Sequence, residues 1–578
     1  MNELFRLTAA KPTIGCEIHT VGHGIKIITP ASSCDAVRIP INMDVVAPIN
    51  RAPAVVVQVL VCVESGRAAI TCTDSNDEEL ATAYVEEQST AEPRMVPIPL
   101  FVEDIGNVRH LLVRNARRDG HRSVTIIGST CAIPPVDALG TGSVALLDAQ
   151  VCPGARLHVL GETLDIATTP MSWANALEIP VRHTKPTLGE KLPTIIEAKV
   201  LARSGRIGFA SASSDRTTIL DECIIQAKPF GKMTAAKLLI GNLNELGYLL
   251  VRNGDLNESS VATLNSIINI FTFDDAAQVL NAAFSACTKL RPIPGWSEYY
   301  GSRAIGITEK LRRLAYSELS TATTAPWLNS LAVWLYPRND ISRVVAVSGL
   351  YEPGLLLSLK RLLSPGGVFF DIGANVGFLS LFAARIVGQT GVVHAFEPSP
   401  REFSRLQRNI DLNGMGNIIL TVQCALGNRN EELALHVAEE RYSGLNTLGD
   451  RYFYSKAQTD DVVNVSVRTL DDYVDEMKLH RLDLIKVDAE GWEARVLEGG
   501  AKTLSRYRPT LLIEVVPPLL RASGSSIAEL GAALRALGYH FSSLDEGTGE
   551  QRPVRTLETS ESQTVLAIPT DKIQLGNG

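Results

Sequence analysis

The chain has 578 residues, about four domains' worth at roughly 150 residues each, so a single small module is excluded. Hydrophobic residues make up 45% and charged residues 20%, which is ordinary globular usage and excludes wholesale disorder. The formal net charge is −8, without a strongly basic half, which disfavours a phosphate-tracking nucleic-acid binder and a polybasic membrane binder.

The first residues, MNELFRLTAAKPTIGCEIHT, lack the basic stretch, apolar core and small-residue cleavage site of a secretory signal. No run of 18 uninterrupted apolar residues occurs, so no membrane span is expected. The nine cysteines are an odd number with wide spacing and no CxxC, the pattern of reduced thiols in a cytoplasmic protein. Cys16, His19 and His23 superficially resemble metal spacing, but with Gly15, Gly22 and Gly24 nearby they read as strands and turns.

The first 270 residues read as β-rich. The β-branched run from Ala54 to Val63, then Ser65-Gly66-Arg67, then AAITCT, predicts a hairpin of strand, glycine turn and strand. Further strands are expected at Val108–Arg114 and Val124–Ser129. Ser65-Gly66-Arg67 recurs as Ser204-Gly205-Arg206, and Leu111–Asn115 (LLVRN) recurs as Leu249–Asn253, both about 138 residues later and in the same order. A period that long means duplicated domains rather than a solenoid. Two tandem all-β copies, each a β-sandwich or jelly roll, are therefore expected at 1–143 and 144–273. Arg67/Arg206 and Arg114/Arg252 recur with the motifs, and inherited packing explains that better than a shared binding role.

Residues 274–334 read as a helical connector, with helical patterns at Asp274–Leu290 and Ile307–Leu319 separated by RPIPGW. From 335 to 578 short apolar strands ending in acidic or glycine residues alternate with helices, the signature of an α/β fold with a parallel, Rossmann-like sheet. Strands are expected at Val368–Phe370, Val392–Phe396, Ile418–Val422, Asp483–Val487 and Thr510–Val515. Residues 546–578 are read as a final hairpin (VRTLET, QTVLAI) forming an antiparallel edge, followed by a polar tail.

The segment Asp371-Ile372-Gly373-Ala374-Asn375-Val376-Gly377 follows the first of these strands and precedes a helix. Glycines let backbone approach a ligand, and the helix N-terminus offers free N–H donors. The pattern is D-x-G-x-N-x-G rather than G-x-G-x-x-G, and an acidic strand end suits a cationic or amine-bearing ligand such as S-adenosylmethionine better than a phosphate. Glu397-Pro398 ends the second strand, where a carboxylate accepts ribose hydroxyls. Ala425 and Leu426, in Cys424-Ala425-Leu426-Gly427, form small apolar surroundings for an adenine. Asp488-Ala489-Glu490-Gly491 ends the fourth strand, and Glu514 lies near the end of the fifth.

FDIGANVG, FEPSP, CALG, RTLDDY, LIKVDAEGWE and PTLLIEV, in that order, resemble the FkbM family of S-adenosylmethionine-dependent methyltransferases; GLYEP at 349–353 is similar to that family's upstream segment. The resemblance covers about residues 335–520. It implies a class I methyltransferase fold, S-adenosylmethionine as cofactor and methylation of a hydroxyl, with Glu352 touching the cofactor. Trp492, where the family more often has a small residue, and Pro517, where a polar one usually follows, are departures that bear on the acceptor pocket.

Asp371, Gly373, Asn375, Gly377, Glu397, Pro398, Ala425, Leu426 and Asp488 are thus expected to bind the cofactor. Asp488, Glu490, Lys486 and Glu514 are the catalytic candidates for orienting the acceptor and taking its proton. The alternative for Asp488 and Glu490 is helix capping, and for Lys486 a strand salt bridge. Carboxylates so clustered also suit a hard divalent cation, but no metal is expected. Ser443–Thr447 reads as a loop that is solvated or reads the acceptor, and His394 as a core histidine. The function expected is O-methylation of a sugar hydroxyl of a glycan or glycoconjugate precursor, with the β-domains binding glycan or scaffolding a homo-oligomer. The rival readings are a lipid, polyketide or nitrogen acceptor with architectural β-domains, or a glycan-binding protein with an inactive methyltransferase domain.

Overall fold

The computed structural model describes residues 4–574 apart from 13–15, 22–23, 30–34, 48, 50–51, 88–93, 117–122, 134–135, 138–148, 161–162, 182–192, 229–230, 243–244, 256–257, 273–275, 287, 297–304, 329–330, 449–457 and 555–561. His23, Cys34 and Cys287 lie outside the described residues. The chain divides into two units, 1–287 with 301–318, and 288–300 with 319–578. Among the described residues no helix is long and apolar enough to cross a membrane.

The first unit contains two pairs of antiparallel sheets with one topology repeated. In the first pair, one sheet runs Lys11–Pro12, Asp35–Pro40, His110–Asn115, Arg67–Thr73, Glu79–Glu86 in spatial order. The other runs Glu17–Val21, Gly24–Thr29, Ser123–Ile133, Val55–Ser65, Val96–Val102. In the second pair the order recurs as Gln150–Val151, Asn175–Pro180, Leu246–Asn253, Arg206–Ser213, Ile219–Gln226, and Arg156–Leu160, Thr163–Ala167, Val261–Thr272, Thr194–Ser204, Thr234–Ile240. Each pair closes on one apolar core, Ile27, Val57 and Val61 against Ile39, Ile70 and Val113 in the first, and Ile166, Ile196 and Leu264 against Leu177, Phe209 and Val251 in the second. The helices Ala276–Ala283 and Ile307–Ser317 group with this unit, where the buried Lys310 ammonium donates to Asp221 Oδ2 at 2.7 Å.

The expected hairpin at Ser65-Gly66-Arg67 is not formed. Val55–Ser65 pairs with Ser123–Ile133 and Val96–Val102, while Arg67–Thr73 pairs with Glu79–Glu86 and His110–Asn115. Both strands have both edges occupied, so neither can accept the other, and the chain instead turns a corner from one sheet to the facing one. Gly66 (φ 81°) and Gly205 (φ 67°) make that corner in the left-handed region. The duplicated arginines pack as ion pairs: Arg114 with Glu79 at 2.6 Å, Arg252 with Glu222 at 3.2 Å, Arg67 with Glu86 at 2.9 Å and Arg206 with Asp255 at 3.1 Å.

The second unit holds an eight-stranded sheet, whose strands we number within this unit: β1 (Val368–Ile372), β2 (Val392–Phe396), β3 (Ile419–Val422), β4 (Leu484–Val487), β5 (Thr510–Val515), β6 (Tyr539–Leu544), β7 (Gln551–Pro553) and β8 (Gln563–Pro569). The order is β3-β2-β1-β4-β5-β8-β6-β7. The first five are parallel and β8 is antiparallel to both β5 and β6. The final-hairpin expectation is therefore corrected: Gln563–Pro569 is an interior strand, the edge is β7, and most of VRTLET lies outside the described residues. Val565, Leu566 and Ala567 are buried on successive positions, so both faces of that strand are covered and its place is inside the sheet. The parallel order reverses direction at β1 and β4, which sends the chain away on opposite sides and opens a crevice at their carboxyl ends.

Gly205 carries a test of the corner. A Cβ there collides with Asp255 Oδ2 and Ser260 Oγ in addition to the left-handed φ. Gly205→Ala is expected to lower the stability of the first unit by about 1–3 kcal/mol in denaturant unfolding followed by circular dichroism.

Candidate active site

The crevice at the ends of β1, β2 and β4 is a cavity of about 350 Å³, within the range of small-molecule sites. Its floor is the glycine loop after β1. Gly373 and Ala374 N–H both donate to the Phe396 carbonyl, at 3.0 and 2.9 Å, which folds the loop against the end of β2. Gly373 (φ 75°), Asn375 (φ 50°) and Gly377 (φ 90°) are left-handed, and Asn375 N–H donates to Glu397 Oε2 at 2.8 Å. A Cβ on Gly373 collides with the Asp488 carbonyl, so this position has room only for glycine. Helix Phe378–Val387 starts directly behind the loop.

Glu397 is buried and its other oxygen accepts from Ser399 N–H at 2.9 Å. Each oxygen keeps a lone pair for a ligand hydroxyl. Burial, with Glu402 beside it, pushes the Glu397 carboxyl up to about 8.

Lys486, on β4, is the centre of charge. Its nearly inaccessible ammonium donates to the Gly373 carbonyl at 2.8 Å and lies 3.1 Å from Asp488 Oδ2 and 3.6 Å from Asp371 Oδ1. Burial alone pulls a lysine down, but Asp488, Asp371 and Glu352 together raise it, so it stays charged. Burial also opposes ionisation of Asp488, yet Lys486 and the hydrogen bond with Glu514 outweigh it and hold its carboxyl below the usual range. Glu514 is raised well above that range by the Asp488 charge and by burial. Burial, Asp488 and Glu493 do the same to Glu490. Glu352 is pushed up to about 8 by burial and by Asp488.

Asp488, Glu490 and Glu514 bring carboxylate oxygens within 4.8 Å of one another, and the Lys486 ammonium already supplies a cation beside them. Two of the carboxylates sit on strained backbone. Glu490 has φ 48° and Glu352 φ 43°, the latter directly before Pro353. Such residues persist where surroundings over-determine them. At Glu490 the holder is Glu493, whose Oε1 accepts from Ala489 N–H and Gly491 N–H, both at 3.0 Å, while Thr447 Oγ1 donates to the Glu490 carbonyl at 3.2 Å.

Glu352, Gly373, Asn375, Gly377, Glu397, Pro398, Ala425, Leu426, Lys486, Asp488, Glu490 and Glu514 all line this one cavity. Asp371 does not. It is fully buried beneath the loop, accepting from Ser380 Oγ at 2.5 Å, and acts on the site through Lys486 and the helix behind it. His394 is a core residue, 2.7 Å from the Tyr473 hydroxyl and pulled down to about 4 by burial. His19 is exposed beside Glu17.

Sequence reasoning missed the wall formed by helix Asp340–Ser348 and by Tyr351, which supplies Asp340, Arg343 and Val344 to the cavity. The available signal was Asn339-Asp340 ahead of an apolar period: Asn339 Oδ1 accepts from Ser342 N–H at 2.8 Å as an N-cap. Ser443 is buried and its hydroxyl donates to Asp340 Oδ1 at 2.8 Å, so Gly444, Leu445 and Asn446 face the cavity instead of solvent.

The residues fit S-adenosylmethionine by donor chemistry: a carboxylate with two free lone pairs at the end of β2, a glycine loop beside it, apolar Ala425 and Leu426, and a surplus of carboxylates for a sulfonium and an amine. A parallel 3-2-1-4-5 sheet with an antiparallel strand at β8, carrying this loop and these strand ends, defines a class I methyltransferase fold. Residues 371–541 match the family model described as the methyltransferase FkbM domain. The chain belongs to the FkbM methyltransferase family, which implies S-adenosylmethionine as methyl donor.

The 2-O-methyltransferase NoeI of Sinorhizobium fredii is 30% identical over 182 residues, 28% of this chain and 70% of its own. The 31-O-demethyl-FK506 methyltransferase of Streptomyces tacrolimicus is 31% identical over 161 residues, 24% of this chain and 60% of its own. Methyltransferase 1 of Beauveria bassiana is 33% identical over 142 residues, 22% of this chain and 56% of its own. This chain thus spans a little over half the length of the latter two relatives.

Two outcomes check the electrostatics. Lys486→Met leaves Asp371 buried without its cation and is expected to cost about 3–5 kcal/mol in thermal unfolding, with partial recovery in Lys486→Met/Asp371→Asn. Glu352 carries a folded-state value raised from 4.5 to about 8, so the stability of its neutral form is complete below about 4.5 and is lost as pH rises through 8. Differential scanning calorimetry of the ligand-free protein should show a smaller fall in Tm between pH 5.5 and 8.5 for Glu352→Gln than for wild type.

Proposed function

We propose that the second unit is an O-methyltransferase acting on the hydroxyl of an uncharged sugar, in a glycan or glycoconjugate precursor. The observation that carries this reading is the single cavity in which the Glu397-anchored glycine loop meets the Asp488–Glu490–Glu514 strand ends. S-adenosylmethionine supplies an electrophilic methyl carbon there. Glu397 and the loop from Gly373 to Gly377 hold the cofactor's nucleoside side, with Pro398, Ala425 and Leu426 around it. Asp371 positions the loop from below through Lys486 and Ser380.

Asp488, the carboxylate held in its charged form, takes the proton of the acceptor hydroxyl, and Glu514 steadies it by hydrogen bonding. Glu490 orients the acceptor. The relatives named as a 2-O-methyltransferase and as a hexuronic acid methyltransferase (Haloferax volcanii, 26% identical over 137 residues) support a sugar hydroxyl. The acidic lining here, Asp340, Glu352, Asp488, Glu490 and Glu514 against the already engaged Lys486 and Arg343 at the rim, favours an uncharged sugar over one bearing a carboxylate or phosphate. The N-terminal sheet pairs, which we read as jelly-roll sandwiches, hold the glycan or assemble copies of the chain.

Calorimetry and a product-release assay test this. Wild type should bind S-adenosylmethionine, and Glu397→Ala and Gly373→Val should not. Asp488→Asn should keep cofactor affinity within about threefold and slow release of S-adenosylhomocysteine with a reactive sugar by roughly 10²–10⁴-fold. No cofactor binding by wild type would overturn the proposal.

A further inference from the structure

The carboxylates around Lys486 outnumber the cation they face. Glu352, Asp488, Glu490 and Glu514 line the cavity, and Asp371 lies behind the ammonium. That ammonium is already engaged by Asp488 and by the Gly373 carbonyl. The remaining groups facing the cluster do not balance it. Tyr351 and Asp340 form the opposite wall, Glu546 stands near Glu352, and Glu493 lies beside Glu490. Arg343 is exposed at the rim.

We propose that this cluster distinguishes the charged cofactor from its spent form: binding S-adenosylmethionine displaces about one proton more from Glu352, Glu490 and Glu514 than binding S-adenosylhomocysteine does. The proposal rests on the reading of this cavity as the cofactor site.

The physical argument is charge crowding. Like charges this close repel strongly in partly buried surroundings, so a cluster within 4.8 Å cannot hold every carboxylate ionised beside one lysine. In the ligand-free protein protons fill the deficit of positive charge. A sulfonium placed beside the cluster fills it instead and a proton leaves. A thioether carries no charge and cannot substitute.

The transfer step then closes the account of protons. The acceptor O–CH3 bond forms and the S–CH3 bond breaks, with the C–S electron pair staying on sulfur. The proton of the acceptor hydroxyl passes to the cluster, replacing the cation just lost. The net charge of the site is the same before and after, and the spent cofactor leaves a cluster already reprotonated.

The test uses the full chain with S-adenosylmethionine and S-adenosylhomocysteine as probes. Calorimetric titration at pH 7 in PIPES and in Tris, whose protonation heats differ, counts protons released by each. Both ligands carry the same amino acid and nucleoside groups, so the difference isolates the sulfonium. The expected difference is close to one proton, and the affinity ratio of the two should rise by up to about tenfold per pH unit between pH 6.5 and 8. Glu514→Gln should shrink the difference. Equal proton counts with a ratio that is flat in pH would overturn the inference while leaving the cofactor reading intact. Failure of both ligands to bind would sink both.

Discussion

The buried Lys486 ammonium is the interaction on which the site depends. It sits on the central β4 strand, reaches the glycine loop through the Gly373 carbonyl, and is shared by Asp371 on β1 and Asp488 at the end of β4. One charge thus ties together the two strands between which the parallel sheet reverses its order. Removing a carboxylate from water is costly unless a cation and hydrogen bonds accompany it, and Lys486 makes Asp371 tolerable at zero exposure. The same cation holds the Asp488 carboxyl below the usual range, whereas its neighbours Glu490 and Glu514 are pushed above it. Carboxylates placed close together are thereby pushed in opposite directions, the separation that the proposed acid–base roles need.

Left-handed backbone also borders this cavity. Glu352, Asn375 and Glu490 adopt left-handed conformations, and all three line the cavity. Each is held by a specific local device: Pro353 fixes the helix that starts after Glu352, the Asn375 N–H is bound by Glu397, and the loop around Glu490 is bound by Glu493. The first unit uses strain differently. Its glycine corners at Gly66 and Gly205 let a chain whose strands are fully paired cross between facing sheets, and the repeat of that corner follows from the repeat of the whole topology.

Much of the site was legible because its chemistry lies in short contiguous motifs. Asp371 to Gly377, Glu397-Pro398, Ala425-Leu426 and Lys486 to Glu490 each end a strand, and strand ends in a parallel sheet converge on one crevice whatever the loops do. Asp371 was misplaced because a carboxylate at a strand end can point into the crevice or beneath the loop, and the choice was made by Ser380 and Lys486, nine and 115 positions away. The wall from Asp340 to Tyr351 went unread because its membership depends on Ser443, a residue 103 positions distant from Asp340, closing onto it.

Local residue types and their spacing were enough to show the duplication of the β-rich half, the order of the parallel strands' acidic ends and the family to which the chain belongs. Tertiary structure alone decided which strands pair. Ser65-Gly66-Arg67 is locally indistinguishable from a hairpin turn, and Gln563–Pro569 from an edge strand. Pairing is settled by which strand edges remain free once all the others have bonded, a property of the assembled sheet and of no segment within it.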